Sequence, residues 1–146
     1  MFKRFRRSAD SRKEVDAPEY AVLVVSDDLI TSALVCETLA QNHYRVHSAS
    51  GTNSALELLK TIEIPALVIG DFAHPEVDGI DFLKRARIRL GKRSLPPIVF
   101  LMDAKDDEVA ARKVGAQELL TKPLDPTTLI DCVGKLVAGN VPVVSK

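Results

Sequence analysis

Ala66-Leu67-Val68-Ile69-Gly70-Asp71 is a short apolar run, mostly aliphatic, that ends in a carboxylate. A buried strand that delivers one acid to its C-terminal edge is how α/β proteins present a reactive group at a sheet crevice. The next residues, Phe72-Ala73-His74-Pro75-Glu76-Val77-Asp78-Gly79, make a turn around Pro75 whose Asp-Gly leads into a helical pattern. Two other runs end in the same manner. Val22-Leu23-Val24-Val25 runs into Ser26-Asp27-Asp28, and Leu119-Leu120-Thr121 runs into Lys122-Pro123.

Outward from this stretch, strand and helix patterns alternate. The strands are expected at Ala21–Val25, Tyr44–Ser48, Ala66–Gly70, Ile98–Met102 and Glu118–Thr121. The first, third and fourth are continuously apolar, as in strands covered on both faces of a parallel sheet. Tyr44-Arg45-Val46-His47-Ser48 alternates instead, which assigns it to an edge. Ala55, Leu58, Leu59 and Ile62 form the clearest helical stripe, and Ile30, Leu34, Val35 and Leu39 a looser one on the first helix. Phe82, Leu83, Ala86 and Leu90 mark the third, with Arg85, Arg87 and Arg89 outward. A fourth helix over about Asp106–Val114 stops at Gly115. A fifth begins with Asp125 as N-cap and Pro126 at its first turn, buries Leu129, Ile130, Val133, Leu136 and Val137, and is expected to end at Gly139. Five such units fold as a doubly wound parallel sheet, flavodoxin-like, in the order 2-1-3-4-5 with five helices. That order puts the switch point between strands 1 and 3, where Asp27 and Asp71 emerge.

Composition bounds the rest. At 146 residues, 46% hydrophobic and 27% charged, the chain has the size and balance of one globular domain. Residues 1–17 hold six cations and three acids of the chain's 20 and 20, leaving 14 and 17 to the remainder. A basic leader on a mildly acidic domain does not read as a nucleic-acid binder. We expect a disordered leader over residues 1–18, a domain over 19–138 and a loose tail over 139–146. The basic start lacks an apolar segment behind it, and the default location is cytoplasmic. Cys36 and Cys132 have no metal-ligand spacing and read as reduced apolar fillers. His74 reads as a loop side chain, and His43 and His47 as surface residues. The acidic first turn, Ser26-Asp27-Asp28-Leu29, has no glycine cradle and disfavours a nucleotide or flavin site.

An acid after strand 1, the pattern D-x3-P-x2-D-G from Asp71, and Lys-Pro after strand 5 together resemble the receiver domain of two-component response regulators, over roughly Glu19 to Val137. The resemblance implies that Asp71 accepts a phosphoryl group and that Lys122, joined to Pro123 by a usually cis peptide, contacts it. It implies a Mg²⁺ site made by Asp27, Asp71 and the backbone carbonyl of Ala73, with Asp28 as a further candidate. It also implies a sensor histidine kinase or phosphotransfer protein as donor. The output is then a downstream protein on the face of the fourth helix, fifth strand and fifth helix, with a homodimer left open. Beyond self-phosphorylation and self-dephosphorylation at Asp71, no enzyme activity is implied.

Three positions depart from the family pattern. Ser26 stands where the first of two acids is usual, so Mg²⁺ should bind weakly. Met102 replaces the Thr or Ser that ends strand 4, and a thioether has no donor. Leu119 replaces an aromatic on strand 5. The acceptor is intact while the readout looks dismantled, so two readings stay open. One is a stand-alone phosphorylated receiver. The other is a pseudo-receiver, an interaction module that works without phosphate.

Overall fold

The computed structural model describes residues 20–91 and 95–140; the expected leader and residues 141–146 of the expected tail lie outside them. Gly139 and Asn140 continue the last helix rather than ending it, since an exposed glycine at a helix end is tolerated. The sheet strands are β1 (Ala21–Val25), β2 (Arg45–Ala49), β3 (Leu67–Asp71), β4 (Ile98–Met102) and β5 (Glu118–Thr121). They pair in parallel in the order β2-β1-β3-β4-β5, as the alternation of patterns requires. Between and after them come α1 (Leu29–Gln41), α2 (Thr52–Thr61), α3 (Gly79–Leu90), α4 (Glu108–Lys113) and α5 (Pro126–Asn140).

The helices cover both faces. Ala55, Leu56 and Leu59 of α2, Phe82, Leu83 and Ala86 of α3, and Ala111 of α4 join one core with Leu23, Val68, Phe100 and Met102. Val35 and Leu39 of α1 and Leu129, Val133 and Val137 of α5 cover the other face, against Val22, Ile69, Val99 and Leu101. Strands buried on both sides cannot alternate in polarity, which is why β1, β3 and β4 read as unbroken apolar runs.

Local chemistry sets several boundaries. Asp28, Asp78 and Asp107 cap α1, α3 and α4, each accepting a backbone N–H of the first turn. Asp125 does the same for Thr128 at the start of α5. Gly115 follows α4 with φ of 116°, the left-handed conformation expected of a residue just past a helix end. Strands β2 and β3 each begin one residue later than the sequence pattern suggested, so Asp71 itself closes β3. The stripe on α1 is also corrected. Ile30 is 82% exposed, and Thr31 and Thr38 are buried beside Val35 and Leu39. Its apolar and polar residues are too mixed for period alone to locate the inner face.

Between β3 and α3 the chain makes a small antiparallel ribbon, Ala73–His74 against Val77–Asp78, joined by Pro75-Glu76. Gly79 N–H donates to the Phe72 carbonyl at 2.8 Å and closes it. A Cβ on Gly79 would lie 2.5 Å from Cε1 of Phe100, whose ring is buried in edge contact with Phe72. Gly79→Ala should therefore cost about 1–3 kcal/mol by overpacking. Urea denaturation reads this as a lower midpoint, and an unchanged midpoint would mean that the Phe100 ring yields freely.

Candidate functional site

The C-terminal edges of β1, β3, β4 and β5 converge on one crevice. Asp71, last residue of β3, is 0% exposed. Neither of its oxygens accepts a hydrogen bond. The Lys122 ammonium lies 3.1 Å from Oδ1, supplying compensating charge without an aligned donor. The β4–β5 register puts Lys122 there. Met102 pairs with Thr121, and Lys122 N–H donates to the Met102 carbonyl at 2.9 Å. The Lys122–Pro123 peptide is cis.

Asp27 enters from the end of β1. Its Oδ2 accepts the Glu76 N–H at 3.1 Å, and its Oδ1 lies 2.9 Å from Nδ1 of His74. Asp27 thus ties the turn after β3 to the end of β1. Asp28 turns to α1 instead. Its oxygens accept from Ile30 N–H and from the Thr31 hydroxyl at 2.7 Å, so its carboxylate is spent on the cap rather than offered to a metal. Ser26 is buried, and its hydroxyl accepts the Asp28 N–H at 3.2 Å. A single hydroxyl there cannot supply the charge of a second acid.

His74 is the main surprise. It reads in sequence as a loop side chain, yet its imidazole is 17% exposed and stands in the middle of the crevice. Nδ1 faces Asp27 at 2.9 Å and Asp71 Oδ2 at 3.7 Å. Nε2 faces Lys122 Nζ at 3.0 Å and Asp103 Oδ2 at 3.5 Å. An ammonium has only donors, so Nε2 meets Lys122 with its lone pair and the proton sits on Nδ1, toward Asp27. The two-residue turn at Pro75-Glu76 folds the side chain back over the sheet edge, which spacing could not reveal. Asp103 was also missed, though an acid directly after β4 was a usable signal. Its Oδ1 is 3.8 Å from Lys122.

The other sequence candidates are distributed as follows. Ala73 is exposed in the ribbon beside Asp71. Met102 is 1% exposed in the core, and Leu119 packs against the same cluster. His43 is exposed, with φ of 71° after α1, and His47 is half-buried on the edge strand β2. Cys36 and Cys132 are free and half-buried, and burial pushes the Cys132 thiol up.

An acidic crevice at the β1/β3 switch point of a flavodoxin-like sheet defines the class of protein. The comparisons with known proteins agree. The family "Response regulator receiver domain" matches residues 22–134. The chain is 31% identical over 120 residues to "Two-component response regulator ORR3" of Oryza sativa subsp. indica, covering 80% of this chain and 90% of that one. It is 37% identical over 113 residues to an uncharacterized 14.6 kDa protein of Leptolyngbya boryana, covering 77% and 86%. Among solved structures, a putative response regulator from Chloroflexus aurantiacus superposes with a TM-score of 0.72 at 27% identity, over 83% of this chain and 99% of that one. CheY4 of Vibrio cholerae gives 0.70 at 25% identity, over 82% and 99%. This chain belongs to the response regulator receiver family.

Receiver domains imply Mg²⁺, and the donors present suit it. Asp27 and Asp71 supply the oxygens, in a group whose ligand atoms, His74 Nδ1 or Nε2 included, lie within 4.8 Å of one another. Both Asp71 oxygens are uncommitted to hydrogen bonds, and hard oxygens are what Mg²⁺ takes. Among the described residues no helix is long and apolar enough to cross a membrane.

The Asp28 cap gives a pH-dependent expectation. The Thr31 hydroxyl first, then backbone amides, hold its carboxyl below the ordinary 3.8. A carboxyl lowered by folding stabilises fully above its unfolded value, and that contribution fades as pH falls through the folded one. Asp28 is solvent-screened, so Asp28→Ala should cost only about 1 kcal/mol at neutral pH. Urea titrations should show this gap closing below about pH 3.8. A gap that persists in acid would mean that the charged cap is not its source.

Proposed function

We propose that this receiver accepts a phosphoryl group on Asp71 from a histidine kinase or phosphotransfer protein and signals through protein contact. The observation that carries this reading is the buried, hydrogen-bond-free Asp71 carboxylate with the Lys122 ammonium 3.1 Å away. In the transfer, an Asp71 oxygen bonds to phosphorus while the donor's P–N or P–O bond breaks, leaving its electron pair on the donor. The product is an acyl phosphate, which water later cleaves to restore the carboxylate. Transfer through a loose transition state chiefly requires oxygens in line and charge neutralised. Lys122 supplies a point charge to the phosphoryl oxygens. Mg²⁺ held by Asp27 and Asp71, with the Ala73 carbonyl, would neutralise more of that charge. His74 must leave the space beside Asp71 for the phosphoryl group to enter.

A second reading is favoured by Met102 and Leu119. Met102 closes β4 fully buried with no donor, and Leu119 packs into the same core without an aromatic ring. Phosphate then has little to pull on. A ligand shifts two states only by its differential interaction with them, and a missing charge-assisted hydrogen bond removes about 1.5–3 kcal/mol of that bias. The output surface over α4, β5 and α5 would then be a binding face nearly indifferent to phosphate.

One experiment separates the two. Wild type and Asp71→Asn are incubated with acetyl phosphate and Mg²⁺, and intact mass and amide chemical shifts are read together. The acceptor reading expects one hydroxylamine-sensitive phosphoryl group on wild type and none on Asp71→Asn; the absence of a donor at Met102 adds the expectation of only small shifts over residues 108–121. A wild type that never gains mass with any donor or kinase favours the pseudo-receiver. Large shifts across 108–121 would show that the switch operates without a hydroxyl at the end of β4.

A further inference from the structure

The imidazole of His74 has no role in the phosphoryl chemistry above, yet it stands between the two acids of the metal site. Ligand atoms about 2.1 Å from a shared ion lie roughly 3.0–3.4 Å apart in octahedral or tetrahedral geometry. The observed separations from Nδ1, 2.9 Å to Asp27 and 3.7 Å to Asp71, bracket that range. The buried Asp71 carboxylate, with no hydrogen-bond donor on either oxygen, points to a ligand not yet supplied. A support for the ring is also in place. Nε2 lies 3.5 Å from the Asp103 carboxylate, which is placed to accept its proton in the tautomer that binds metal through Nδ1.

We propose that His74 is a metal ligand through Nδ1, so that Asp27, Asp71 and His74 form an N,O,O site selective for nitrogen-accepting transition-metal ions over Mg²⁺. Imidazole suits Zn²⁺, Co²⁺ and Ni²⁺, whereas Mg²⁺ prefers oxygen and keeps its waters. On binding, the Nδ1 proton moves to Nε2, which then donates to Asp103. Lys122, a donor that can no longer face Nε2, turns wholly to Asp71 and Asp103. The ion replaces the hydrogen bond by which His74 now occupies Asp27. The crevice residues therefore have two arrangements, a metal-free one held by His74 and a metal-bound one held through it.

This inference rests on the same crevice as the acceptor reading but not on phosphate. The full chain, His74→Met, His74→Gln and Asp71→Asn are titrated with Co²⁺ alone and with Mg²⁺ alone, by calorimetry and by visible absorption of bound Co²⁺. Wild type should bind Co²⁺ at least about tenfold more tightly than either His74 variant does, with a stronger visible band. Mg²⁺ affinity in the His74 variants should be equal or higher, because Asp27 is released. Asp71→Asn should weaken Co²⁺ binding. Equal Co²⁺ affinity in wild type and both His74 variants overturns the proposal. So does parallel loss of Co²⁺ and Mg²⁺ in those variants, which would make His74 a merely structural residue. Undiminished Co²⁺ binding by Asp71→Asn places the ion elsewhere and also overturns it. A protein that binds Co²⁺ through His74 but takes no phosphate keeps this inference and loses the acceptor reading. One phosphorylated with Mg²⁺ but lacking His74-dependent Co²⁺ binding does the reverse.

Discussion

Everything in this crevice follows from one buried charge. Asp71 closes a strand that is buried along its whole length, so its carboxylate is withdrawn from water on both faces of the sheet. An isolated carboxylate in such a place is costly unless opposite charge stands close by. Lys122 meets that need from β5, two strands away, carried there by the β4–β5 register. The order β2-β1-β3-β4-β5 is thus what makes the charge tolerable. It brings β1 with Asp27 to one side of β3, and β4 with Asp103, then Lys122, to the other.

Asp71 accepts no hydrogen bond, and the turn after β3 brings His74 within 3.7 Å of its Oδ2. Asp27 holds Glu76 N–H and His74, and His74 in turn reaches Lys122 and stands near Asp103. The two acids, the lysine and the histidine form one connected set. That connectedness links the departures from the family pattern. With Ser26 in place of an acid, the crevice has less negative charge. His74 brings a nitrogen to the space beside the acids that remain. At the end of β4 and within β5, the side chains of Met102 and Leu119 fill the core with no hydroxyl or aromatic ring.

Most of the fold was legible because period and polarity coincide with burial. Unbroken apolar runs marked β1, β3 and β4, and alternation marked the edge strand β2. Asp125 and Gly115 punctuated their helices as written. The inner face of α1 was misread because Thr31 and Thr38, not Ile30, turn inward, and a mixed stripe gives period little contrast. Within the crevice, Asp27, Asp71 and Lys122 could be placed because each ends a strand, and a strand end has a fixed position at the sheet edge. His74 could not. Its location depends on a two-residue turn that folds the ribbon back, and on Asp27 gripping that turn from a distant part of the chain. Asp103 was legible in principle, since an acid directly after β4 has the same fixed place at the sheet edge.

The Lys122 ammonium compensates the buried Asp71 carboxylate, and a double-mutant cycle on stability tests that pairing most directly. Urea denaturation of wild type, Asp71→Asn, Lys122→Met and the double variant at neutral pH gives the coupling energy. Lys122→Met alone should cost about 3 kcal/mol, because it strands a buried charge. Most of that loss should vanish when Asp71 is already Asn, leaving a coupling of at least about 2 kcal/mol. Effects that add within about 0.5 kcal/mol would show that Lys122 does not hold the Asp71 charge.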